Sequence, residues 1–593
     1  MGKRWRIFPH DADRVTRLEK AAGVSPVVAQ LMICRGIYEP AAVRTFLEPK
    51  MTALREPAEL PGVEQAVERI FAAITDQRRI VIYGDYDADG MTATAILYRC
   101  LSLLGGNVGY YVPNRLEDGY GLNAEALRTL AHRGAEMIVT VDCGIASVEH
   151  AETARELGLE LIITDHHEFA ERLPNAAAIV HPRLPGTAYP FGGLCGAGVA
   201  FKLAWALCQR SCEDAKVTPR LRSFLLSALG IAAIGTVADV VPLVDENRIL
   251  VRHGLKSLRE FPVPGLVELM RVTKLDQKPQ LSSEDIGFTI GPRLNAAGRL
   301  GQAQLGVELL TTDSSERAAA LAEYIHELNN SRDSLERSIY LAAQKQIKEQ
   351  FDPDEDAALV LADQGWHPGV IGIVAGRLAE KYHRPVVMIA LDELGGKPGT
   401  GSARTACGVN LHEALAACTE HLVTHGGHAA AAGLRIEPAQ VEVFRHEFCE
   451  HVSRMTTVEA RVAEVSIDAE SLLGQLTHQV VSQIEQLSPF GQGNPRPVLC
   501  ASGITCGDVR RMGSGERHLS LRLTQHGVSM RGVGFGCGDW CEELAQFDGP
   551  IDVAFRPVIN DFRGRRSVEV QLVDWRPAKS LAGTLESPTP VHV

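Results

Sequence analysis

Between about residues 75 and 245, short apolar runs alternate with stretches of helical periodicity. The runs are RIVIYG (79–84), NVGYYVP (107–113), AEMIVTVD (135–142), LELIITD (159–165) and AAAIVHP (176–182). MTATAILYRCLSLLG, NAEALRTLAHRG and SVEHAETARELG lie between them and carry apolar residues at helical spacing. A strand that is apolar on both sides must be covered on both faces. A helix between two strands returns the chain so that the next strand runs the same way. The pattern therefore predicts an α/β fold around a mostly parallel sheet.

The rest of the chain changes style more than once. Residues 1–60 read as an N-terminal helical segment, 61–245 as the α/β domain and 246–350 as a helical connector. Residues 313–350 predict one long helix or two close ones, with Asp313 or Ser314 as cap and Glu316 in the first turn. A second α/β domain is expected over 351–460, with strands near 357–362 and 385–391 and a helix near 368–382. From 461 to 577 apolar and polar residues alternate at short spacing, which predicts a small antiparallel barrel, and 578–593 reads as a disordered tail.

Other features remove alternatives. No apolar run reaches the roughly 18 residues of a membrane span. MGKRWRIFPHDADR has neither the apolar core of a secretory signal nor a myristoylation pattern. The 13 cysteines form no CxxC pair, and neither Cys208/Cys212 nor Cys537/Cys541 is followed by matching histidines. Reduced thiols in a cytoplasmic protein are expected, not a zinc site. The net charge is −13. A protein that coats DNA would be basic. Either nucleic acid is not the substrate, or metal ions and a local basic channel override the global sign.

The chemistry concentrates at the ends of the apolar runs. The first ends in Asp85, Asp87 and Asp89, the third in Asp142, and the fourth in Asp165-His166-His167. DYDADG begins like a calcium-binding loop, but position twelve is Ile96 instead of the required Glu. In open α/β sheets, ligands gather beyond the carboxyl ends of the strands. Asp239, in IGTVADVVPL, is a fourth acid in an apolar stretch. Hard carboxylates with one or two imidazoles suit Mn²⁺ or Mg²⁺. Several shared carboxylates suit two metals roughly 3.5–4 Å apart, as used for in-line attack on phosphate. Phosphoester hydrolysis is the expected reaction.

DYDADG, VTVDCG, TDHHE and ADVVPL, in that order, resemble the four motifs of the DHH phosphoesterase superfamily. GWHPGVIGIVAGRLAEKYHRPVV, GTGSAR and HGGHAAAAG are similar to its associated DHHA1 domain. PRLNAAGRLG, LSPFGQGNPRP and the C-terminal barrel, similar to an OB-fold, narrow the resemblance to single-strand-specific 5′→3′ exonucleases. The match runs from about 55 to 575. It implies two divalent ions, Mn²⁺ or Mg²⁺, held by Asp87, Asp89, Asp142, His166 and Asp239, with Asp142 bridging and Asp85 ligating or supporting. It assigns Asp165 and His167 to catalysis, His167 facing the scissile phosphate. It also implies a role in recombination and repair beside a single-strand-binding protein and a RecQ-type helicase; a monomer is expected. The same superfamily contains oligonucleotide and cyclic-dinucleotide phosphodiesterases and non-catalytic replication scaffolds, which stand as the alternatives.

The resemblance places the terminal 5′-phosphate at Arg115, Ser402 and Arg404. Arg293, Asn295 and Arg299 are expected to touch the strand, and His428 a phosphate. The small residues of GGHAAAAG either admit a strand of nucleic acid or start a tight helix. GGLCGAG (192–198) reads as a helix N-terminus, since its spacing is wrong for a dinucleotide site. On the barrel, Arg510, Arg511, Arg563 and Arg565, interleaved with Phe535, Phe555 and Phe562, are candidates for single-strand binding.

Overall fold

The computed structural model describes residues 3–114, 121–212, 217–352, 355–392, 395–457, 462–562 and 565–578. Strands β1 (Ile80–Tyr83), β2 (Val108–Tyr111), β3 (Met137–Val141), β4 (Glu160–Thr164) and β5 (Ala178–Val180) form one parallel sheet. Their order is β2-β1-β3-β4-β5. Ile80, Ile82, Met137 and Val139 face one core, and Val81, Tyr83, Ile138 and Ile163 face the other. This burial on both faces is why the strands are continuously apolar. Between β1 and β3 the strand order reverses, which opens a crevice at their carboxyl ends.

Helices α1 (Ala88–Leu103), α2 (Gly196–Arg210) and α3 (Pro219–Ala238) pack into the first of these cores. Helix α3 corrects one expectation. It is long and apolar enough to cross a membrane by length and composition, with a mean hydropathy of 1.7 over its best window, but 61% of that window is buried inside the protein. Within the fold it is a core helix, and it ends at the acid Asp239.

A π-helical turn (Ile286–Ile290) runs into α4 (Gly291–Arg299). The expected connector is a single helix, α5 (Ser315–Gln350), 36 residues long, with Ser314 capping its start. In the second α/β segment, β6 (Leu359–Asp363), helix α6 (Ile371–Tyr382) and β7 (Val386–Ala390) match the expected elements. Three further strands, β8 (Gly399–Arg404), β9 (Thr424–Gly427) and β10 (Ala431–Ile436), extend this sheet in antiparallel fashion. HGGHAAAAG is therefore a β-hairpin and not the start of a helix. Gly427 has φ 132°, and a Cβ there would fall 2.6 Å from Ala431 O. The buried Glu336 of α5 pairs with Arg377 of α6 at 2.6 Å and ties the connector to this lobe.

Residues Pro49–Arg461 and Pro489–Asn494 make one compact unit, and Met1–Glu48, Val462–Ser488 and Pro495–Val593 make the other. In the second unit β11 (Leu499–Met512), β12 (His518–Gln525), β13 (Val528–Gly534), β14 (Ile551–Phe562) and β15 (Arg565–Pro577) close into a barrel through the β11–β14 pairing. The N-terminal segment is part of this unit. Its strand Arg4–Ile7 pairs in parallel with Glu464–Ile467, and Trp5 Nε1 donates to Asp574 Oδ2 at 2.7 Å. All 13 cysteines are free.

Candidate metal centre and nucleic-acid site

Two acids of the first motif, Asp87 and Asp89, are held by backbone amides. Asp87 caps α1, its Oδ1 accepting from Asp89 N at 2.9 Å and Gly90 N at 3.0 Å. Asp89 accepts from Gly196 N at 2.6 Å and Ala197 N at 2.9 Å, at the start of α2. GGLCGAG is thus a helix N-terminus whose amides grip a carboxylate. The packing leaves no room for side chains here. A Cβ on Gly196 would lie 2.6 Å from Asp142 Cβ, and one on Gly90 2.6 Å from Asp85 Cβ.

Asp142 follows β3 in left-handed backbone, φ 62°, and its N–H donates to Thr164 O at 3.0 Å. A non-glycine residue held in that region marks a geometry enforced by its surroundings. Asp239 caps the carboxyl end of α3. A negative charge at that end opposes the helix dipole, so a nearby cation would favour the ionised carboxylate.

His166 Nε2 is buried and makes no hydrogen bond. Around it stand Asp142 Oδ1 at 3.0 Å, Asp239 Oδ2 at 3.6 Å and Asp89 Oδ2 at 3.8 Å. Donor atoms of Asp85, Asp87 and Asp142 lie within 4.8 Å of one another, as do those of Asp89, His166 and Asp239, and those of Asp142, His166 and His167. Asp142 therefore belongs both to the Asp85/Asp87 group and to a His166 group. Burial, followed by the charges of Asp89 and Asp87, pushes the Asp142 and Asp239 carboxyls up, Asp239 to about 9. Burial pushes His166 down to about 4. Carboxyls crowded this far from their ordinary range, around an imidazole nitrogen with no hydrogen-bond partner, fit a pair of hard divalent cations. Cys195 hydrogen-bonds Asp89, but burial holds its thiol well above the usual value, so it is no thiolate ligand.

Asp165 is turned to a different task. Its Oδ1 accepts from His166 N at 2.7 Å, His167 N at 3.1 Å and His167 Nδ1 at 2.8 Å, and its Oδ2 accepts from Ile145 N at 2.9 Å. Burial alone would lower the His167 pKa, but the bond to Asp165 and its charge outweigh burial and raise it to about 9. Two residues the sequence reading passed over support this turn. His181 Nε2 lies 3.0 Å from His167 O, and Arg183 Nη2 donates to His166 O at 2.6 Å. The signal for His181 was present, since it ends the fifth apolar run as the other ligand candidates end theirs.

In the second lobe Ser402 and Arg404 share one face of β8, and Arg404 Nη1 donates to Ser402 Oγ at 3.0 Å. The first turn of α6 lies over them: a Cβ on Gly372 would be 2.9 Å from Ser402 Oγ and 3.1 Å from Arg404 Nη2. A helix N-terminus beside a guanidinium and a hydroxyl makes an anion pocket. Arg115 lies outside the described residues.

Helix α4 engages both lobes. Asn295 Oδ1 accepts from Ala88 N at 2.9 Å, and Arg299 Nη1 donates to Gly369 O at 3.2 Å, just before α6. Arg293 donates to Thr289 O at 2.7 Å and contacts His326 Nδ1 at 3.1 Å. His428 is exposed at the turn of the β9–β10 hairpin, and Glu168, next to the two histidines, is held below the usual carboxylate range first by its bond to Arg183, with His428 among the lesser influences.

On the barrel, Arg510, Arg522 and Arg531 line a cavity of about 700 Å³ with Asp508, Ser520, Ser529 and Met530. Arg522 and Arg531, opposite each other in register, were not among the candidates, because strand pairing decides that register and spacing along the chain does not. Arg522 pairs with Asp508 at 2.6 Å, Arg531 with Glu569 at 3.2 Å and Arg511 with Glu542 at 3.1 Å. Phe555 is fully buried and belongs to the core, which removes it as a stacking candidate, whereas Phe535 is exposed. Arg563 lies outside the described residues, as do the side chains of Phe562 and Arg565.

Comparison with known proteins covers nearly the whole chain. Residues 79–231 match the DHH family N-terminal domain, 355–454 the DHHA1 domain and 467–574 the RecJ OB domain. The single-stranded-DNA-specific exonuclease RecJ of Bacillus subtilis is 37% identical over 571 residues, 96% of this chain and 70% of that protein. RecJ of Escherichia coli is 35% identical over 567 residues, 93% of this chain and 95% of its own. The crystal structure of Thermus thermophilus RecJ with Mn²⁺ superposes with a TM-score of 0.82 at 32% identity, covering 98% of this chain and 80% of that one. The same protein with Mg²⁺ gives 0.76 at 31%, covering 97% and 79%.

Proposed function

The chain belongs to the RecJ family of single-stranded-DNA-specific exonucleases, and on that premise we propose that it trims single-stranded DNA from the 5′ end. It does so by hydrolysing the terminal phosphodiester with two divalent cations, Mn²⁺ or Mg²⁺. The observation that carries this reading is the convergence of buried acids and His166 at the carboxyl ends of β1, β3 and α3 and after β4.

Asp85, Asp87 and Asp142 would hold one cation, and Asp89, His166 and Asp239 the other, with Asp142 reaching both. Bound there, the cations supply Lewis-acid polarisation of the phosphate and a nucleophile from water at neutral pH. Asp165 fixes the His167 ring through Nδ1, so that its positive charge stabilises the negative charge growing on the phosphate oxygens. The amides of Gly196 and Ala197 hold Asp89, and Asn295 holds the turn before it, so the ligands need little rearrangement during reaction. The leaving group is the 3′-oxygen of the terminal nucleotide. The shortened strand keeps a 5′-phosphate, which can re-enter the pocket of Ser402, Arg404 and the start of α6, with Arg115 as a further contact. Arg510, Arg522 and Arg531 attract the backbone of the strand on the barrel.

The wider setting proposed is a cytoplasmic monomer in recombination and repair, supplied with single strands by a RecQ-type helicase and a single-strand-binding protein. Family membership supports it, and size-exclusion chromatography and pull-downs with the purified partners test it. The central experiment is digestion of 5′- and 3′-labelled strands, single and duplex, in Mg²⁺ and Mn²⁺. A 5′ label should appear at once as mononucleotide, while a 3′ label gives a descending ladder and duplex resists. Faster cleavage of dinucleotides than of long strands would overturn the reading.

A further inference from the structure

Two exposed apolar side chains flank the end of α3. Phe288 is the most exposed large apolar residue among those described, at 82%. It sits in the π-helical turn Ile286–Ile290, a helix form rare in general and frequent at functional sites. That turn packs on the carboxyl end of α3. A Cβ on Gly287 would be 3.6 Å from Val237 Cγ1, and one on Gly291 3.3 Å from Ala238 Cβ. Asp239, in the metal centre, is the next residue along the chain.

Val240 follows it, 65% exposed and with φ 59°. A β-branched side chain in left-handed backbone is strained. Nothing is gained from burial to offset that strain, since the side chain stands in solvent. Past the π turn, α4 carries Asn295 to the first ligand turn, where it accepts from Ala88 N at 2.9 Å. Phe288 thus belongs to a continuous helical stretch that touches the metal centre at both α3 and α1.

We propose that Phe288, supported by Val240, is a base-stacking contact for one nucleotide of the single strand next to the scissile phosphate. The proposal rests on the exonuclease reading above and adds a residue that recognises the substrate as unpaired. A base in a duplex has both faces covered by its neighbours, whereas an unpaired base can offer one to a phenyl ring. Such a contact is indifferent to sequence, because every base has a π-face.

The test uses 5′-phosphorylated single strands that carry one abasic residue at successive positions from the 5′ end. They are digested by the full-length protein and by Phe288→Ala and Phe288→Trp. Stacking predicts that one abasic position raises KM roughly ten-fold in the wild type. Phe288→Ala should raise KM by a similar factor on intact DNA, with no further penalty at that position, so the two losses are not additive. Phe288→Trp should restore the wild-type KM, and kcat should hold throughout. Mn²⁺ titration and thermal midpoint should be unchanged, since the side chain is exposed. A wild-type KM in Phe288→Ala, or additive penalties at every position, would overturn the proposal; an apolar protein partner at this surface would give the former. No digestion by the wild type would instead overturn the exonuclease reading itself.

Discussion

His166 Nε2 and Asp142 Oδ1 face each other at 3.0 Å, the nitrogen making no hydrogen bond. The relationship is awkward for the protein alone, since burial favours the neutral ring and disfavours the carboxylate. It becomes favourable once both atoms point at a cation, and several consequences can be measured.

Replacing Asp142 with Asn should remove the carboxylate shared between the two ligand groups. Activity should fall by at least about a hundred-fold. Isothermal titration should show a loss of Mn²⁺ stoichiometry or affinity in the same variant. Unchanged Mn²⁺ binding would contradict a shared ligand.

The metal-free protein should lose stability as pH rises from about 6.5 to 9. Asp239 and His167 both have folded values raised to about 9. Over that window the folded chain keeps protons that the unfolded chain has released, so their contribution, full at low pH, is lost on the way up. His166, depressed to about 4, works in the opposite direction only below its ordinary value of 6.5. Thermal midpoints in EDTA should therefore fall across the window, and saturating Mn²⁺ should flatten the slope. Calorimetry in buffers of different ionisation heat should detect protons released on Mn²⁺ binding.

Asp165→Asn should separate orientation of His167 from metal binding. The neutral side chain cannot accept from three backbone amides and the imidazole together, which costs about 1–3 kcal/mol of stability. The turnover number should fall by about two orders of magnitude, while Mn²⁺ affinity changes far less. A parallel loss of both would place Asp165 among the ligands.

Gly372→Ala should act on the end of the substrate and not on the chemistry. The added methyl meets Ser402 Oγ at 2.9 Å and Arg404 Nη2 at 3.1 Å. KM for 5′-phosphorylated strands should rise by about ten-fold, with little change for 5′-hydroxyl strands. Equal effects on both would remove this pocket from phosphate recognition.

On the barrel, Arg522→Ala and Arg531→Ala should each reduce the salt dependence of single-strand binding, by no more than about 0.7 of a unit of slope, since Asp508 and Glu569 already pair with them. Fluorescence anisotropy across a salt series measures both, and an unchanged slope in both variants would remove this cavity from strand binding.

Much of the candidate metal centre was legible in the linear chain because its ingredients are local. A strand ends where its apolar run ends, and the residue that follows lies at the edge of the sheet. Asp85, Asp142 and His166 could be assigned to one rim before any pairing was known. The residue types at those ends then limited the cation. The GGHAAAAG hairpin was not legible, because a short glycine- and alanine-rich run has no periodicity to separate strand from helix, and only pairing with β8 decides it. Phe555 and Arg522 lie on strands with similar alternation, and which face is core depends on how the barrel closes.

By itself, the sequence determined the α/β alternation, the long connector, the barrel and the acids at the strand ends, since each follows from spacing along a few covalently linked residues. Only the tertiary structure decided that Asp165 holds His167, that Gly196 leaves room for Asp142, that α6 covers Arg404 and that the N-terminal strand joins the barrel unit. Those are contacts between segments far apart in the chain. They depend on register and close approach, which residue spacing does not encode.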